Sequence, residues 1–204
     1  MSSPNLVRWY ALAALLGGAL SVAEGLLILA NPGYWRFDSP LDYLVVAVEG
    51  ATLLAILGGL VGLYARQAGS YGRLGAAGCL VAFIGTVLAG VGHIYGVPFF
   101  DFVSFGGMAY VLIGFWLGSF LIGGIAYVLG VVAMSVGLLL VGLATMKAGV
   151  LPVWGALAPL AGLAGLWAGN SGGWILFGLG WLAVAYALRS GSAVPAEQSP
   201  TGAA

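Results

Sequence analysis

The chain has 204 residues, 62% of them hydrophobic and only 6% charged, with a formal net charge of zero. A soluble domain carries about a quarter charged residues, so this chain cannot cover a water-facing surface, and lipid must be the solvent for most of it. About six or seven helical spans of roughly 20 residues fit the length, with no room for a separate soluble domain; zero net charge argues against a nucleic-acid partner, and the single cysteine, Cys79, excludes an intramolecular disulfide.

The first span is expected over about Arg8–Ala30. Ser21-Val22-Ala23 has the small-x-small form of a signal-peptide cleavage site, but the apolar run continues through Leu26 to Ala30 and reads as a span. Glu24-Gly25 interrupts it, and Asn31-Pro32-Gly33 ends it. Tyr34, Trp35 and Tyr43 suit a membrane interface. The second span, about Leu41–Tyr64, opens at Ser39-Pro40-Leu41-Asp42, an N-cap residue followed by proline in the first turn. It is interrupted in turn by Glu49-Gly50. A polar loop, Ala65 to Arg73, precedes the third span, about Leu74–Tyr95, which carries His93 and is expected to stop near Pro98.

From Val103 to Met146 there is no charge over more than forty residues. One helix of that length would be about 60 Å, roughly twice a bilayer core. The segment therefore holds either two spans joined near Gly123-Gly124, or one span preceded by a segment that does not cross. Two arguments favour one crossing. With six spans and a cytoplasmic N terminus, Arg8, Arg66, Arg73, Lys147 and Arg189 all lie inside and only Arg36 outside, as the enrichment of cations in cytoplasmic loops requires. There is also an internal repeat at an offset of 80: Leu60-Val61-Gly62-Leu63 matches Leu140-Val141-Gly142-Leu143, and Ala68-Gly69 matches Ala148-Gly149. Parallel repeats of this kind recur in polytopic proteins. On this reading Val97 to Phe120 lies on, or dips into, the outer side, and any non-helical backbone there must be covered by protein. The fourth span is then about Leu121–Met146, the fifth about Pro152–Ala168 with a kink at Pro159, and the sixth about Trp174–Leu188.

The fold class is thus all-α: an integral membrane helical bundle of about six transmembrane helices with an outer re-entrant or interfacial segment. Residues 1–189 form one domain, and 190–204 a disordered cytoplasmic tail. Both termini are expected in the cytoplasm, with the chain in the cell membrane. Small residues four apart (Gly17, Ser21 and Gly25; Gly58 and Gly62; Gly114 and Gly118; Gly165 and Gly169) are expected to mark helix–helix contact faces.

The loops Gly62 to Gly75, GLYARQAGSYGRLG, and Gly142 to Trp154, GLATMKAGVLPVW, resemble those of a set of small polytopic bacterial membrane proteins with no assigned activity. The resemblance covers both loops and their flanking spans. It implies the topology and no catalytic residue.

An ionisable residue inside a span is costly and needs a reason. By this topology Glu24 lies about 9 Å, Glu49 roughly 12 Å and His93 about 5 Å below the outer boundary. Arg36, Asp38, Asp42 and Asp101 all belong to outer loops. No charge is buried in the inner half. Asp42, Glu49 and Thr52 share one helical face, as do Ser21 with Glu24, and Thr86 and Ala89 with His93. These stripes are expected to face each other in a polar pocket open to the outside, roofed by Tyr34–Asp38 and Pro98–Asp101.

The candidate pocket residues are therefore Glu24, Glu49, His93, Arg36, Asp42 and Asp101. The favoured function is non-enzymatic: binding or transport of a small ligand or ion, or assembly with another membrane protein. The alternative is a membrane-embedded, metal-dependent enzyme with Glu24, Glu49 and His93 as three metal ligands and an open fourth position, although no local ligand motif supports it. A purely structural role, with a protonated Glu as interhelical donor or Arg36 satisfying one carboxylate, competes with both. Gly169-Asn170-Ser171-Gly172 has the G-x-S-G form found at the nucleophile of rhomboid-type proteases, but that family's histidine follows its serine and none follows here.

Overall fold

The computed structural model describes residues 4–32, 39–67, 69–70, 72–104, 109–149, 151, 160 and 171–190, and the side chains of these except at 4 and 93–122. The described residues are helical apart from short turns and include no strand. Five helices form: α1 (Pro4–Ala30), α2 (Pro40–Gln67), α3 (Gly72–Ser104), α4 (Ala109–Ala148) and α5 (Ser171–Ser190). Each contains a stretch long and apolar enough to cross a membrane.

Helix starts and stops follow local chemistry. Ser39 precedes Pro40, whose fixed φ suits the first helical position. The Asp42 carboxylate accepts the Ser39 backbone N–H at 2.9 Å, closing the first turn of α2. Ser70 N–H donates to the Gln67 carbonyl at 2.8 Å as the chain leaves α2. Gly72 then opens α3 with φ +59°, a left-handed conformation that suits glycine.

The helices pair antiparallel. Gly17 on α1 packs on Ile56 of α2, and Gly62 of α2 on Tyr10 of α1, so one number falls as the other rises. Gly18 and Gly25 of α1 meet Gly178 and Ser171 of α5 in the same reversed sense. On α3, Gly85 and Gly92 lie against Met134 and Tyr127 of α4, while Gly130 and Gly137 of α4 lie against Ala89 and Ala82 of α3. Such approaches are open only to residues without a side chain: a Cβ on Gly18 would lie 2.8 Å from the Gly178 carbonyl oxygen. A short loop and the approach of Gly90 to Leu53 set α3 antiparallel to α2.

These relations fix direction. α1 and α3 run one way, and α2, α4 and α5 the other. Arg8, Arg66, Arg73, Lys147 and Arg189 consequently gather at one face of the bundle, four of them in the first or last turn of their helix. The end of α4 lies at this basic face, and the start of α5 at the opposite one.

Inside, Ile56, Leu60, Leu63, Leu138, Phe177, Trp181 and Leu188 form the core. Outside, Leu29, Leu54, Leu80, Val128 and Tyr186 are more than half exposed. An exterior this apolar suits hydrocarbon and not water.

One expectation changes. The third span was expected to stop near Pro98, but α3 continues to Ser104. α4 runs unbroken through Gly123-Gly124, in line with the single crossing favoured over two spans joined by a turn there. The stretch Val97–Phe120, expected as an outer re-entrant or interfacial segment, is helical at 97–104 and 109–120, with 105–108 outside the described residues. Helix satisfies its own backbone groups, which an irregular segment in lipid does not. The expected fifth span, Pro152–Ala168, lies outside the described residues except for residue 160, and the tail at 191–204 lies outside them entirely.

Candidate functional site

The α1/α2 register builds the site. From the Gly17–Ile56 contact, two turns forward along α1 and two turns back along α2 lead to Glu24 and Glu49. The two carboxyl groups are close enough for their charges to interact, and the Thr52 hydroxyl, one turn from Glu49, lies beside Glu24. Glu24 is 0% exposed and Glu49 4%. Both face the bundle interior and neither faces lipid.

Glu24 is the unusual member. Both of its carboxyl oxygens are buried without a hydrogen-bond partner. The Thr52 hydroxyl beside it also lies 2.8 Å from the Val48 carbonyl. Among the described residues, a second carboxyl and a hydroxyl therefore stand next to Glu24. Such a set can hold a proton between its members or coordinate a small hard cation, which takes oxygen ligands.

The other predicted residues divide. Asp42 is buried, but its carboxylate is engaged: it accepts Ser39 N–H and the Asn31 side-chain amide. Asp42 thus caps α2 and ties the end of α1 to it. Ser21 shares burial with Glu24 but not direction. Its hydroxyl donates to the Trp174 carbonyl of α5 at 2.8 Å, so it faces α5 while Glu24 faces α2. Thr86 is buried on α3 and donates to the Ala82 carbonyl at 2.8 Å.

His93 and Asp101 sit on α3, and their side chains lie outside the described residues, as does all of Arg36. The pocket roof expected from Tyr34–Asp38 and Pro98–Asp101 falls in the same regions. Of the three expected metal ligands, the described residues bring Glu24 and Glu49 together, and among them no group of three His, Cys, Asp or Glu side chains converges. Sequence reasoning missed Gln67. It is 1% exposed near the basic face, and neither side-chain amide atom has a hydrogen-bond partner. Its place at the polar end of an apolar span hid it.

Compared with protein-family models, curated proteins and solved structures, the chain shows no match.

Proposed function

We propose that this chain is a six-span membrane protein that binds a small cation between Glu24 and Glu49 in the outer half of the bundle, as a binding or transport protein and not as an enzyme. The observation that carries this reading is Glu24, fully enclosed opposite Glu49, with both carboxyl oxygens unpartnered. The enclosed Glu24 carboxyl does not stay charged in such a place without a positive partner. A cation, or a proton in its absence, supplies it.

The six crossings are supported by the opposite positions of the end of α4 and the start of α5. The segment between them is about one span long, and it has to cross the bilayer to join them. The orientation is supported by the five cations at one face, which by the positive-inside tendency is cytoplasmic. Glu24 and Glu49 then belong to the outward half. No charged side chain continues from them towards the basic face among the described residues, which favours binding over a complete conduction path.

The test is thermal unfolding of the purified protein in detergent, with sodium, potassium, magnesium or calcium chloride against choline chloride at equal ionic strength. A ligand at about 100 times its Kd stabilises by about 2.7 kcal/mol. At least one of the four cations is expected to raise the unfolding midpoint by several degrees, and the double variant Glu24→Gln, Glu49→Gln to lose that response. If no cation moves the wild type, or the double variant responds equally, the reading fails.

A further inference from the structure

At the basic face, α1 and α5 leave a groove of about 560 Å³ between them. Its mouth carries Arg8 and Arg189, and its walls Val7, Leu12, Leu15 and Leu188. Arg8 is in the second turn of α1. Arg189 is in the last turn of α5. Both arginines are exposed. The described carboxylates, Glu24, Asp42 and Glu49, lie well away towards the opposite face, so none of them neutralises either guanidinium.

The groove has a direction. Arg8, Leu12 and Leu15 recur at helical spacing on one face of α1, so the lining passes from cationic to apolar over about 10 Å going inwards. Leu12 is 41% and Leu15 36% exposed, while Leu188 is fully buried beneath them as the floor. Two planar guanidinium groups at the end of an apolar slot match a phosphate oxygen set attached to an acyl chain. Basic pockets between spans on the cytoplasmic side recognise anionic lipid headgroups by this chemistry.

We propose that this groove is a binding site for an anionic phospholipid, with the headgroup phosphate held by Arg8 and Arg189 and one acyl chain lying along Leu12 and Leu15. A zwitterionic lipid of the same acyl composition fits the apolar slot equally, but adds an ammonium group where two cations already stand. The site is separate from Glu24 and Glu49 and does not depend on what they bind.

The test is native mass spectrometry of the full chain released from micelles doped with equal amounts of phosphatidylglycerol and phosphatidylcholine of identical acyl chains. A parallel sample contains inorganic phosphate in place of lipid. The wild type is expected to retain phosphatidylglycerol about tenfold over phosphatidylcholine, as two basic contacts near a membrane surface allow. In Arg8→Gln, Arg189→Gln the ratio is expected to fall to about one, while Arg73→Gln, at the same face but outside the groove, keeps the wild-type preference.

Should the double variant not fold, Arg189→Gln alone carries the test, with a severalfold drop expected. Parity between the two lipids in the wild type, expected if another segment or a second copy fills the groove, overturns the proposal. So does a preference that survives loss of the groove arginines, one lost equally in Arg73→Gln, or phosphate adducts as abundant as lipid ones.

Discussion

The side-chain amide of Asn31, just beyond α1, donates to the carboxylate of Asp42 in the first turn of α2. The same carboxylate accepts the Ser39 N–H. One buried acid therefore closes a helix N-terminus and clamps two spans together where the chain turns. Losing a cap of this kind costs about 1–2 kcal/mol. Asp42→Ala is expected to destabilise the purified protein by that amount in denaturant unfolding. Asn31→Ala should cost less, because Ser39 keeps its acceptor. Equal stability of Asp42→Ala and wild type would contradict the clamp.

Glycines differ in what surrounds them. A Cβ on Gly25 would lie 2.6 Å from the Ser171 carbonyl oxygen and 2.7 Å from Ile175 Cγ1, whereas a Cβ on Gly50 would meet nothing within 4 Å. Overpacking a close contact costs typically 1–3 kcal/mol. Gly25→Val is expected to lower stability by at least about 2 kcal/mol on that account. Gly50→Ala is expected to be neutral or stabilising by up to about 1 kcal/mol through helix propensity. Unfolding midpoints of the two variants in one detergent make the comparison.

Direction of the helices is open to labelling. Cys79 is the only cysteine and is buried, so Cys79→Ala provides a silent background. Ser70→Cys and Ser190→Cys lie at the basic face, and Pro32→Cys at the opposite one. In inverted membrane vesicles and intact cells, an impermeant maleimide is expected to reach the first two from the same side and the third only from the other. Labelling of Ser70→Cys and Ser190→Cys from different sides would remove the sixth crossing.

The second span shows how far spacing alone can reach. Asp42, Glu49 and Thr52 were assigned one face from their intervals, and all three are buried. Helical periodicity suffices there because polar residues stand out against an apolar run. The same logic misplaced Ser21, which shares burial with Glu24 yet bonds to Trp174, a residue 153 positions away. Nothing local to α1 announces that partner. The extent of α3 and α4 was equally hidden. Pro98 reads as a break, since in water it would be. In an apolar bundle the backbone has no other hydrogen-bonding partner, so α3 persists through it. The engagement of Asp42 followed from Ser39 three residues earlier, a capping-box spacing that had been read only as the start of a helix.

The pairing of α1 with α5 has a consequence for biogenesis. α1 precedes α5 by about 140 residues, so the face of α1 that carries Gly18, Ser21 and Gly25 has no α5 to pack on until those have been made. α2 arrives early and seals Glu24 against Glu49 on the other side. A chain truncated before Ser171 would keep the carboxyl pair but leave a bare glycine groove, a ready contact for a second truncated copy and a mark by which quality control could recognise it.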